Sequence, residues 1–164
     1  MSDYMQFFGD RPVSIQRINV TIPAGAASVT AAISAVDMGK SVVTMSPSPS
    51  STSYPNEELA VRLNSATQIT VERESGVSAP TLTVTVTVVD FGPMVKNVQR
   101  GTIGPSPATT AAISTVDPAK CWVLISRRVD YATQTNGGYT LSANALTVTA
   151  QNTTTRFWQI VEFW

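Results

Sequence analysis

Residues 31–40 read AAISAVDMGK, and residues 111–120 read AAISTVDPAK. Seven of the ten positions are identical at an offset of 80, and self-similarity of this kind decides the architecture before any local propensity does. The match extends outward in both directions. Upstream, Gln16-Arg17 answers to Gln99-Arg100. Downstream, SATQITV at 65–71 aligns with SANALTV at 142–148, and VTVVDF at 86–91 aligns with WQIVEF at 158–163. The offset drifts from 83 through 80 and 77 to 72, as insertions and deletions in the intervening loops produce. Four matched blocks in one order define two homologous modules over 13–91 and 95–164. An arm over 1–12 precedes them, and a linker over 92–94 joins them at Gly92-Pro93, a strong local punctuation.

Within a module the period is two. Thr81-Leu82-Thr83-Val84-Thr85-Val86-Thr87-Val88 alternates without a fault, which sends Leu82, Val84, Val86 and Val88 to one face of a strand and the threonines to the other. Ser41-Val42-Val43-Thr44-Met45 and Cys121-Trp122-Val123-Leu124-Ile125 form a matched pair of more buried strands. Ile69-Thr70-Val71 and Leu146-Thr147-Val148 form another. AAISAVD also reads better as strand than as helix, given its β-branched Ile33 and Val36. Five or six short strands per module, with turn signals about every ten residues, predict an all-β chain of two tandem antiparallel sandwich or barrel modules. SPSPSSTSYPNEE at 46–58 reads as an exposed loop, replaced in the second module by a loop over 127–138.

Composition narrows the function. The 164 residues include 17 Ser, 22 Thr and 20 Val, with 13% charged residues balanced at 11 basic and 11 acidic. Such a chain folds. It lacks the cationic excess that nucleic-acid binding draws on. No histidine is present, which removes the usual general base and the commonest metal ligand. Cys121 is the sole cysteine, so neither an internal disulfide nor a zinc cluster is expected. Beside Trp122 it reads as a small buried hydrophobe. Asp37 and Asp117 recur at equivalent places and read as turn residues. No glycine-rich phosphate loop occurs. The run Glu72-Arg73-Glu74 reads as a solvated strand end, and Cys121 has no histidine to activate it. An enzyme, a metal site and a cofactor are therefore not expected. MSDYMQFFGD has no basic, apolar signal-peptide pattern, and no stretch approaches a membrane span; synthesis in the cytoplasm and no membrane partner follow.

The aromatic residues point to partners instead. Trp158 and Phe163 match Val86 and Phe91 and read as core. Phe157 answers to a threonine, and Trp164 has no matching aromatic in the first module. Together with Tyr4, Met5, Phe7 and Phe8 of the arm, they are the candidate partner-binding residues, since unpaired surface aromatics mark contacts with other chains.

Laid out as a repeat, the chain resembles a recurrent module of tailed-bacteriophage structural proteins. The matching residues are VQRGTI at 98–103, with VSIQRINVTI at 13–22 as a divergent copy, the AAIS-x-VD-x-x-K blocks, the SA-x-x-[IL]-T-V strand and the WQIVEF finish. The resemblance covers nearly the whole chain outside the arm, through strand and turn signatures rather than a chemical site. It implies a non-enzymatic virion protein, tail-associated at the tip, baseplate or fibre attachment, that oligomerises with itself and binds other virion structural proteins. Head decoration of the capsid surface is the alternative. A receptor- or glycan-binding module is another, with the two long loops meeting a host-surface glycan.

Overall fold

The computed structural model describes residues 12–47, 59–73, 81–104, 109–127, 138–148 and 155–164. The arm residues Tyr4, Met5, Phe7 and Phe8 lie outside these, as do the loops over 46–58 and 127–138 apart from their ends. The described chain is all-β, with twelve strands in four three-stranded antiparallel sheets. None of its helices is long and apolar enough to cross a membrane.

The first module contains β1 (Ser14–Ile22), β2 (Ser28–Ala32), β3 (Ser41–Pro47), β4 (Leu59–Ser65), β5 (Gln68–Arg73) and β6 (Leu82–Asp90). The second contains β7 (Val95–Ile103), β8 (Thr110–Ala112), β9 (Cys121–Arg127), β10 (Tyr139–Leu141), β11 (Ala145–Val148) and β12 (Arg156–Phe163). The sheets run β1-β6-β3 and β2-β5-β4 in the first, β7-β12-β9 and β8-β11-β10 in the second. The order is the same in both. So is the register: Ile15 pairs with Val89 as Val98 pairs with Val161, and Val42 with Val89 as Trp122 with Val161.

The alternation of β6 is realised as strict burial, with Leu82, Val84, Val86 and Val88 inside and the threonines between them half-exposed. These valines face Leu63, Ile69 and Val71 of the facing sheet in one core cluster. The second module repeats that core with Val123, Leu146, Val148, Trp158 and Ile160. Burial of such side chains is worth about 1.5–3 kcal/mol each, which makes the two cores the main stabilising element of the fold.

The turn after each AAIS block is fixed by the same bonds. Asp37 Oδ1 accepts from the Gly39 amide, and Asp117 Oδ1 from the Ala119 amide. The Asp37 amide donates to Asp90 and the Asp117 amide to Glu162, so the carboxylate shared by VVDF and IVEF has a structural task. Gln16 and Gln99 each clamp the backbone of the serine, Ser34 or Ser114, through donor and acceptor together.

Three expectations need correction. Strand β2 ends at Ala32; Ile33 and Val36 lie beyond it, held by amide bonds to Thr67 and Ala66 carbonyls. Arg73 is buried rather than solvated, with its guanidinium on the Ala26 and Pro23 carbonyls. Cys121 is half-buried and donates from its thiol to the Asp117 carbonyl. Ser41 makes that bond in the first module, so the cysteine takes the place of a hydroxyl while packing, only half-buried, against the margin of the second core.

Candidate interaction surface

The two modules meet in a third apolar cluster. Val42 from the first module joins Val95, Val98 and Val161 from the second, flanked by Val89, Phe91, Leu124 and Phe163. The pleat explains the membership. On β9 and β12 the residues facing the module's own core alternate with Leu124, Val161 and Phe163, which face outward. The first module closes on that outward face with one side, the edge strands β3 and β4 and the turn between Asp37 and Ser41. The Phe91 and Phe163 rings meet edge-on, with centroids 6.4 Å apart.

Polar groups set the register of this seam. The buried Gln159 side chain accepts from the Val43 amide at 2.9 Å and donates to the Val43 carbonyl at 2.7 Å. A side-chain amide thus stands in for a strand neighbour, satisfying both backbone groups of the β3 edge. Arg100 donates from its two terminal nitrogens to the Met38 and Ser41 carbonyls. Lys40 answers in the other direction, donating to the Val95 and Lys96 carbonyls. The Val98 amide donates to the Gly39 carbonyl, and the Val61 amide to Ser126 Oγ. Burial holds the Arg100 guanidinium below its ordinary range, with Asp37 opposing.

Along the seam runs a cleft of about 180 Å³, lined by Arg62, Leu63, Arg100, Thr102, Phe157 and Gln159 among others. Phe157 lies here, with the Arg62 guanidinium 5.6 Å from its ring centroid. The aromatic that answers to a threonine is thus met by the first module of its own chain. Trp164 is exposed, donates from its indole to the Pro93 carbonyl and has Lys40 5.8 Å from its ring. The structure does not bring Phe157 and Trp164 together as one site. Sequence reasoning missed Gln159, Arg100 and Lys40. The repeat contained a signal for Gln159, since a polar residue there faces the same way as Thr87.

Among the described residues no group of three Cys, Asp or Glu side chains is arranged to hold a metal ion. Among the described residues Glu162 is the most deeply buried carboxylate of the second module, bonded by Lys96 Nζ at 2.9 Å and the Asp117 amide at 3.0 Å. Burial pushes its pKa up, and these two bonds outweigh that effect, leaving the group below the ordinary carboxylate range. A carboxylate so satisfied is a turn anchor and not a proton donor. No family model, curated protein or solved structure matches the chain.

Proposed function

We propose that this chain is a non-enzymatic structural protein of a tailed-phage virion, tail-associated, that acts by binding neighbouring virion proteins through its β-module surfaces and its arm. The observation that carries the reading is the seam. Gln159, Arg100, Lys40, Asp90 and Glu162 all bind backbone groups, serving turns and the contact between modules. That is the chemistry of assembly. A Thr-rich surface of low charge binds by area and shape, with little long-range steering. The repeat signatures supply the phage assignment, and the tail is favoured because such modules accompany tail proteins.

Antibody raised against the purified chain, applied to intact particles and to separated heads and tails, tests the reading by electron microscopy. Labelling of tails is the expected result. Labelling of the head surface would replace the tail by the decoration alternative. Particles that carry no label in either part would remove the virion assignment.

A further inference from the structure

The repeat makes the seam between the modules a template. In it, one side of the first module, built from the 37–41 turn, β3 and β4, sits on the outer face of the β7-β12-β9 sheet. Each half of that contact has a counterpart elsewhere in the chain, because both modules share strand order and register. The second module has its own turn, β9 and β10. The first has its own outer face, on β1-β6-β3. The β3 side of that outer face, with Val42 and Val89, already packs in the seam; its β1 side, with Ile15, and Trp122 on β9 remain exposed.

Most of the exposed apolar residues fall on these two counterparts. Val98 is 7% exposed in the seam, and its register equivalent Ile15 is 56% exposed. Val42 is 1% exposed in the seam, and its equivalent Trp122 is 46% exposed. Val13, beside Ile15, and Tyr139, the β10 equivalent of Val61, are also exposed. Thus Val13, Ile15 and Trp122, three of the five large exposed hydrophobics among the described residues, lie on a counterpart of the seam, while Tyr139 answers to a residue of the first module's own core.

The polar groups repeat the pattern. Arg100 grips the Met38 and Ser41 carbonyls; its equivalent Arg17 is exposed and has no side-chain partner among the described residues. Lys40 grips the Val95 and Lys96 carbonyls; its equivalent Lys120 is likewise exposed and unpartnered. The receiving turn is already in shape, since Asp117, Ala119 and Lys120 repeat the bonds of Asp37, Gly39 and Lys40.

We propose that these two surfaces bind each other between copies, the β9–β10 side of one chain seating on the open β1 side of the outer β1-β6-β3 face of a second. Trp122 then covers Ile15, and Arg17 takes the Pro118 and Cys121 carbonyls. The contact is heterologous, so copies add head to tail and close into a ring or extend as a filament according to the rotation per step. It is weaker than the seam within one chain. Thr44, Thr85 and Thr87 stand where the second module has Leu124, Phe157 and Gln159, and the tether that raises effective concentration inside the chain is absent. The inference concerns the chain alone and does not rest on the phage assignment.

The test is sedimentation of the purified full chain over a range of concentrations. Wild type is expected to form species at whole multiples of its 17.5 kDa mass. Ile15→Glu and Trp122→Glu each spoil one half, so each alone stays monomeric where wild type associates. Mixed in equal amounts they combine, because each supplies the half the other lacks. The mixture stops at two chains, since one intact contact remains possible. Arg17→Glu and Lys120→Glu repeat the two arms without altering an apolar residue, so a folding defect in either first variant leaves the comparison intact. Unfolding temperatures of all variants should match wild type. The proposal is overturned by a wild type that stays monomeric up to roughly millimolar concentration, a weak-binding limit of about 4 kcal/mol. It is equally overturned by folded variants that associate as wild type does, or by a mixture that does not combine.

Discussion

The indole of Trp158 lies across the bare backbone of Gly101, its direct partner on the neighbouring strand β7. A Cβ built on Gly101 would fall 2.6 Å from Trp158 Cζ2, so the tryptophan occupies the space a side chain would need. In the first module the same pair is Ile18 with Val86. One repeat thus fills this part of its core with two medium side chains, and the other with one large side chain and none.

Exchanging the pair tests that trade. Gly101→Ile alone overpacks the site and should cost about 1–3 kcal/mol or more. Trp158→Val alone leaves a cavity and should cost several kcal/mol, near the lower end of the roughly 3–5 kcal/mol seen for aromatic truncation. The double variant restores the arrangement of the first module, and urea unfolding should show a favourable coupling of about 0.5–3 kcal/mol. Losses that simply add would contradict the packing relation.

Gln159 supplies a second prediction. Gln159→Leu keeps the volume but leaves the Val43 amide and carbonyl at the seam without partners. An orphaned buried polar group costs about 1–3 kcal/mol, so global stability should fall by that order, read by chemical denaturation. The control is Thr87→Gln at the equivalent, half-exposed position of the first module, which should stay within about 0.5 kcal/mol. Equal effects at the two positions would remove the seam as the cause.

The modules, their strands and their turns were legible because each is written locally and written twice. The Leu82–Val88 alternation and the paired Asp37 and Asp117 turns carry their own periods and spacings. The seam was not legible, for a physical reason. Val42 and Val98 read as ordinary strand residues whether a face is wet or covered, and only the approach of one module to the other decides which. Gln159 and Arg73 show the same limit, since a polar side chain that satisfies buried backbone groups has the sequence signature of a surface residue. Trp122 reads as part of a buried strand, yet about half of it is open because its face extends past the seam.

Cys121 offers a conservative test of the repeat. Its thiol bonds the Asp117 carbonyl at 3.2 Å, where Ser41 bonds the Asp37 carbonyl at 2.7 Å. Burial raises the thiol pKa, with Glu162 and Asp117 adding to it, so the group stays a neutral donor. Cys121→Ser should keep the turn bond and change stability by less than about 1 kcal/mol. Cys121→Val removes the donor and should cost more than serine by roughly the 0.5–1.5 kcal/mol of one net hydrogen bond. Thermal melts of the two variants read the difference, and a valine variant as stable as serine would deny the bond any weight.

The last prediction follows the buried carboxylate. Glu162 is 1% exposed and holds Lys96, Asn97 and the Asp117 amide. Its pKa in the folded chain lies below the ordinary value, despite burial, because those donors favour the charged form. A folded-state pKa below the unfolded one means that the unfolded chain binds the proton more readily. The stabilisation is therefore present above the unfolded value, about 4.3 for glutamate, and is lost as pH falls from there through the folded value. Stability measured by urea unfolding should accordingly be flat near neutrality on this account and decline below about pH 4.3. Glu162→Gln keeps the shape and an acceptor for the Asp117 amide but loses the charge. It should be less stable than wild type at pH 7, and the gap should narrow as the medium is acidified through that window. Half-exposed Lys96 screens its share of the interaction, so added salt should shrink the gap at pH 7 only in part, with the amide bond surviving. A gap that stays constant down to pH 2 would show that the charge of Glu162 does not hold the Asp117 turn.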